Sequence, residues 1–197
     1  MFFITYYITS YVRNYSLRNN VVDIPNERSS HLVPTPTGGG LAISLSILLS
    51  IFILSGLSGD TVSLSIVLSS GVFLIGLTGW FDIHKEVPVL IRAVLYLVTS
   101  IWAVWFLGGV KSFSVGGIAI KSFWVVNFIS VFWIAWLVNL YNFMDGIDGM
   151  LTSESMLITF SAALIILFVH GGGENTVLLF LLGIVCLGFL LFNFPPA

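Results

Sequence analysis

Charged side chains are scarce in this chain, 8% of the residues against about 25% in an ordinary soluble domain. That deficit excludes a water-soluble globule. The Lys and Arg residues form no stripe and the formal net charge is -2, so the electrostatic footprint of a nucleic-acid binder is missing too. A single cysteine, Cys186, lies in an apolar run. It allows no internal disulfide and reads as a small core or lipid-facing residue. The first apolar run has neither a basic lead-in nor a small-residue cleavage site, which argues against a cleaved leader. What the chain has in quantity is apolar: 57% hydrophobic and 15% aromatic residues. Long apolar runs separated by short polar stretches predict an all-α, polytopic transmembrane bundle. It forms one integral-membrane domain over residues 1–197, with about seven membrane segments. Most of the aromatics fit a lipid-facing surface or an interfacial belt.

Phe2 to Val12 is apolar but eleven residues long, enough for about half of a ~30 Å hydrocarbon core. Later spans are expected over Gly38–Leu57, Thr61–Phe81, Pro88–Leu107, Ser122–Asn139 and Thr176–Phe194, with Met156–Val169 lying inside the sixth. Arg92, near the start of its span, is placed to snorkel to the interface. The loop between residues 108 and 121 alternates around Phe113, Val115, Ile118 and Ile120, a weak hairpin signal. His170, beside three glycines, reads as a turn residue and not as a ligand.

Three polar stretches interrupt this pattern. Arg13 to Gly40 carries three prolines, then Arg28-Ser29-Ser30-His31 and, after Pro34-Thr35-Pro36, Gly38-Gly39-Gly40 directly before a span. A cation, hydroxyls, an imidazole and backbone N–H groups at a helix start are the parts of a phosphate site. Asp82 is an acid at a membrane boundary. The third stretch, Asn139-Leu140-Tyr141-Asn142-Phe143-Met144-Asp145-Gly146-Ile147-Asp148-Gly149, closes an apolar run with two carboxamides and two carboxylates. Acids at membrane depth are costly and therefore point to function. If the helix continues, Asn142 and Asp145 share a face and Asp148 drifts only part of a turn from it. Such oxygen donors suit Mg2+ shared with substrate phosphates. The plain alternative is a helix end with capping residues.

Parity gives an orientation. With the Arg13–Gly40 loop inside, Arg13, Arg18, Arg28, Lys85 and Arg92 are cytoplasmic and only Lys111 and Lys121 lie outside, as the positive-inside rule expects. Asp23, Glu27, Asp82, Glu86, Asp145, Asp148 and Glu154 fall on the same inner side, leaving Asp60 and Glu174 outside. That rule does not reward acids inside, so their concentration marks a site facing the cytoplasm. A transporter would instead place its acids near the midplane on broken helices.

Taken together, three motifs resemble the polyprenyl-phosphate N-acetylhexosamine-1-phosphate transferases, glycosyltransferase family 4. They are Asp23-Ile24-Pro25-Asn26-Glu27-Arg28-Ser29-Ser30-His31 with Pro34-Thr35-Pro36 and Gly38-Gly39-Gly40; Gly79-Trp80-Phe81-Asp82; and Asn142 to Gly149. The likeness covers nearly the whole chain. It leans to the bacterial enzymes that start O-antigen or other surface polysaccharide, because the peptidoglycan-precursor branch differs around the Pro-Thr-Pro and glycine segment. The resemblance implies transfer of a sugar-1-phosphate from a UDP-N-acetylhexosamine to polyprenyl (undecaprenyl) phosphate with release of UMP. It implies Mg2+ as cofactor, the lipid bilayer as setting, the bacterial inner membrane as location and no nucleic-acid partner; a homodimer is allowed. Asp82, Asp145 and Asp148 would be catalytic, with Asp82 assisting the lipid phosphate and Asp148 on the nucleotide-sugar side. Asn142 and Asp145 would hold the metal. Arg28, Ser30, His31, Gly38, Gly39, Gly40 and Asn139 would bind substrate or phosphate.

Two departures stand out. Ile83 occupies the place of the family's second aspartate. The chain ends at Asn193-Phe194-Pro195-Pro196-Ala197, where the family continues. With the short first span, these lead to the expectation of a chain clipped at both ends, the amino-terminal part of a longer transferase, which does not turn over alone. A catalytically inactive membrane fragment or assembly subunit is the alternative reading.

Overall fold

The computed structural model describes residues 1–23, 34–57, 62–84 and 87–194. Helix α1 runs Phe2–Arg18, α2 Gly39–Leu57, α3 Val62–His84, α4 Val89–Phe106, α5 Phe123–Met144, α6 Met150–His170 and α7 Glu174–Asn193. Two short antiparallel ladders interrupt them. In the first, β1 (Val22–Asp23) pairs β2 (Thr35–Pro36); in the second, β3 (Phe113–Val115) pairs β4 (Ile118–Ile120) in the expected hairpin.

Among the described residues, the six helices α2 to α7 are long and apolar enough to cross a membrane. The first segment differs from expectation. α1 does not stop at Val12 but continues to Arg18 over 17 residues, about 25 Å. Hydropathy falls at Arg13 and Asn14, yet helix-breaking chemistry does not begin before Pro25, so the helix outlasts the apolar run.

The hydroxyl-bearing residues show how these helices tolerate lipid. Ser46 Oγ donates to Ala42 O at 2.8 Å and Ser50 Oγ to Ser46 O at 2.8 Å. Thr78, Thr99, Ser100 and Ser130 do the same one turn back along their own helices. Each bond satisfies a hydroxyl within its own segment, where no water can. Large apolar side chains point outward instead: Trp105 and Phe168 are each 82% exposed, as a lipid-facing surface requires.

α2, α3, α4 and α5 pack in succession, while α7 packs on α6, α2 and α1, and α1 also lies against α2. α5 and α6 share little beyond their connecting turn, so the helices follow an open arc from α6 round to α5. Small residues allow the close approaches. A Cβ on Gly183 would lie 2.5 Å from the Phe160 ring, and one on Gly188 would lie 2.8 Å from the backbone oxygen of Phe2. Because that oxygen cannot rotate away, Gly188→Ala is expected to destabilise the chain by roughly 1–3 kcal/mol. Gly40→Ala is the contrast: nothing lies within 4 Å of the added methyl, so the helical substitution should be neutral or stabilising by up to ~1 kcal/mol. Thermal unfolding of both variants in the same detergent checks the opposite signs.

Candidate functional site

Chain alternation brings the C-terminal ends of α1, α3, α5 and α7 together with the N-terminal ends of α2, α4 and α6. Asp82, Gly38, Gly39, Gly40, Asn139, Asn142, Asp145 and Asp148 therefore all sit at or near one end of the bundle. Arg28, Ser30 and His31 lie outside the described residues, as do Lys85 and Glu86. Asp60 also lies outside them.

α5 ends at Met144, and Asp145 is its C-cap in a helical conformation. The helix does not continue through Asp148, which corrects the face expected for it. Residues 145–149 form a tight turn, in which the Ile147 N–H reaches Met144 O at 3.1 Å and the Met150 N–H reaches Ile147 O at 3.2 Å. Gly149, at φ 72, starts α6 from a left-handed conformation that glycine adopts without cost. Asp148 thus sits just ahead of the α6 N-terminus, half-buried, while Asn139, Asn142 and Asp145 are exposed along the end of α5. Asp145 and Asp148 each have an interaction partner within the protein.

Part of the capping alternative is met: Asp145 is the C-cap of α5, and Gly149, which has no side chain, is the N-cap of α6. A carboxylate at a helix C-terminus, where Asp145 lies, is disfavoured by the dipole. The job of holding the turn falls to Asn193 at the end of α7, which sequence reasoning missed. Its Oδ1 accepts the Gly149 N–H at 3.0 Å and the Thr152 hydroxyl at 2.9 Å. Asn193→Ala leaves both donors without that acceptor, so a loss of roughly 1–3 kcal/mol is expected, with Asn193→Asp retaining more stability than Ala. Chemical denaturation of the three proteins side by side measures it.

Asp82 is not the solvated boundary acid it resembles in sequence. Its Oδ2 accepts a bond from Arg92 Nη1 at 2.8 Å, and its Oδ1 accepts the Val87 N–H at 2.8 Å. Arg92 does not simply snorkel; it returns along the start of α4 to neutralise Asp82, and the carboxylate bridges the α3–α4 connection. The side chain of Ile83 is outside what the structure describes.

The three glycines differ from one another. Gly38 is at φ +96 with α1 close behind it: an added Cβ would meet Val12 at 3.3 Å and Ser16 at 3.7 Å. Ser16 Oγ donates to Thr37 O at 2.8 Å and fixes the segment there. Gly39 lies against the Phe189 ring, 2.5 Å from a hypothetical Cβ. Packing against α1 and α7 therefore accounts for two of them, and Gly40 alone faces open space.

Among the described residues no three His, Cys, Asp or Glu side chains gather as a metal cluster. Asn142 and Asp145, one turn apart and exposed, still supply a carboxamide and a carboxylate oxygen. That suits Mg2+, which fills most of its shell with water and substrate phosphate.

Comparison with known proteins places these features in context. A model of the family described as Glycosyl transferase family 4 matches residues 65–197. A Bacillus subtilis (strain 168) protein named "Probable undecaprenyl-phosphate N-acetylglucosaminyl 1-phosphate transferase" is 29% identical over 196 residues, covering 96% of this chain and 52% of that protein. The Mycobacterium tuberculosis (strain CDC 1551 / Oshkosh) decaprenyl-phosphate N-acetylglucosaminephosphotransferase is 30% identical over 217 residues, covering 98% of this chain and 52% of its own. A phospho-N-acetylmuramoyl-pentapeptide-transferase of Streptococcus pneumoniae serotype 19F (strain G54) is 29% identical over 174 residues, covering 83% and 52%. The chain thus spans about half the length of the curated relatives it matches.

Proposed function

Because the chain belongs to glycosyl transferase family 4, we propose that it supplies part of the machinery transferring an N-acetylhexosamine-1-phosphate from a UDP-sugar to polyprenyl phosphate, with release of UMP. The observation that carries this reading is the acidic turn between α5 and α6, set at the same bundle end as Asp82 and the Gly40 backbone. Its relatives' names supply the phosphorylated polyprenyl acceptor and the N-acetylglucosamine 1-phosphate group.

The chemistry needs two polyanions to meet at a membrane surface. Bound Mg2+ would offset the charge of the donor diphosphate. Asn142 and Asp145 are the residues here that would hold it. Asp148, at the mouth of α6, would face the nucleotide-sugar. Asp82, held by Arg92 and the Val87 N–H, would orient the acceptor phosphate; with its charge already paired, orientation suits it better than proton abstraction. The Gly40 N–H region, with Arg28, Ser30 and His31, would line the phosphate path. The distribution of Lys and Arg, five against two by parity, supports a cytoplasmic site.

Two measurements test this. In a Cys186→Ser background, a cysteine at position 114 should react with an impermeant maleimide added outside intact cells, and one at position 30 should not; the reverse pattern overturns the orientation. A full-length relative carrying residues 1–197 of this chain should move label from UDP-[14C]N-acetylglucosamine into extractable lipid, and EDTA should stop it. EDTA-resistant transfer would remove the metal from the account.

A further inference from the structure

The end of the bundle away from the acidic turn carries the β3–β4 hairpin, which the transfer reaction does not use. Among the described elements its strands pack on each other and make no more than marginal contact with any helix. Gly116 and Gly117, both at positive φ, form its two-residue turn. The register sets Phe113 directly opposite Ile120, so these two side chains share one face, while Ser114 and Ala119 share the other. Phe113 is 47% exposed and Ile120 36%. A lone two-stranded hairpin of this size is marginal in water, and this one leaves its apolar pair open.

The base of the hairpin is clamped to the membrane span. Asn127 Oδ1 accepts the Val110 N–H at 2.8 Å, and its Nδ2 donates to Val110 O at 3.1 Å and to Phe123 O at 2.7 Å. Val110 is therefore held beside the first turn of α5 and not beyond it. Phe113 and Ile120 each lie three residues from Val110 and Phe123 respectively, at most about 10 Å of chain, which keeps them close to the headgroup layer at the ends of α4 and α5. Trp105 and Trp124, 82% and 81% exposed at the same ends of those helices, form an aromatic belt at that level. Lys111 and Lys121 flank the two strands and are exposed, and residues 107–123 contain no Asp or Glu. An apolar pair continuous with lipid-facing aromatics, between two cations and with no acid nearby, matches a membrane surface that carries anionic headgroups. We propose that the hairpin docks on that surface, with Phe113 and Ile120 entering the interface and Lys111 and Lys121 contacting lipid phosphates. Each lysine at an anionic surface strengthens docking about fivefold. This surface is separate from the acidic turn and stands whether or not transfer is established.

The test places a nitroxide label on Phe113→Cys or Ser114→Cys in a Cys186→Ser background, with the chain in nanodiscs of phosphatidylcholine and phosphatidylglycerol. Collision with oxygen, which concentrates in lipid, is compared with collision with a water-soluble nickel complex. Position 113 should favour oxygen and position 114 nickel. Lys111→Gln combined with Lys121→Gln should weaken docking roughly 25-fold, two factors of five, and move position 113 to the nickel pattern. Nanodiscs of phosphatidylcholine alone should have the same effect on the chain with both lysines. All these substitutions replace exposed side chains, so thermal unfolding should match the parent and serves as the folding control. Nickel dominance at position 113 in the anionic nanodiscs would overturn the proposal, since the pair would then face water. Protection of position 113 from both reagents would overturn it too, by assigning the face to a protein partner or a second copy. Oxygen preference that survives loss of both lysines and of the anionic lipid would remove the headgroup contact.

Discussion

Asp145→Asn is expected to lower sugar-phosphate transfer by a factor of about 10²–10³ while leaving the protein folded and inserted. The substitution removes one formal charge with almost no change in volume. Asp145 closes α5 at the negative end of the helix dipole, where a carboxylate is unfavourable for folding. Asp145 also has a partner within the protein, and a carboxamide keeps its shape, so stability should change by no more than about 1 kcal/mol. A large kinetic loss without a stability loss is what a metal or diphosphate contact predicts. A helix-capping role predicts the opposite: near-normal turnover with lower stability. The full-length chimera, assayed at saturating donor with unfolding followed in parallel, separates the two.

The Asp82–Arg92 pair carries the second large effect. Both side chains are partly exposed, 31% for Asp82 and 25% for Arg92. The pair lies between the surface case, worth about 0–1 kcal/mol, and the fully buried case, where breaking it costs about 3–5 kcal/mol. Removing either partner alone is expected to cost roughly 1–3 kcal/mol. Asp82→Ala should be the worse of the two, because it also frees the Val87 N–H at the α3–α4 connection. In a double-mutant cycle with Arg92→Ala the two losses should fall short of additivity by about 1 kcal/mol. Arg92→Lys keeps the charge but not the guanidinium geometry and should recover part of the loss. If Asp82 orients the acceptor phosphate, Arg92→Ala should also raise the KM for polyprenyl phosphate while changing that for the UDP-sugar little. Strictly additive losses with unchanged KM values would reduce the pair to a surface contact.

The membrane architecture was legible because lipid imposes a single rule: every span must be apolar and helical. Six of the spans could be located from that rule alone. α1 was under-read because hydropathy reports burial in lipid, while helix continuation depends on backbone chemistry, and Arg13 to Arg18 breaks the first without breaking the second. The acidic turn stood out because Asp145 and Asp148 are out of place beside an apolar run. What sequence could not show are the partners brought in by folding. Asn193 holds Gly149 from 44 positions away, and nothing about an Asn before Phe194-Pro195-Pro196 names that partner. Arg92 is ten positions from Asp82, but its pairing depends on how tightly the α3–α4 connection turns. Gly39 read as a phosphate-loop glycine, and the Phe189 ring behind it explains it equally well by packing.

The most direct test follows both halves of the transferred group. UDP-N-acetylglucosamine labelled with 32P at the β-phosphate and 14C in the sugar would be given, with polyprenyl phosphate and Mg2+, to the full-length relative carrying residues 1–197 of this chain. Phosphosugar transfer requires both labels to enter the lipid in a 1:1 ratio, with UMP as the released nucleotide. Asp145→Asn should suppress both together. Entry of 14C without 32P, with UDP released, would show transfer of the sugar alone and contradict the account.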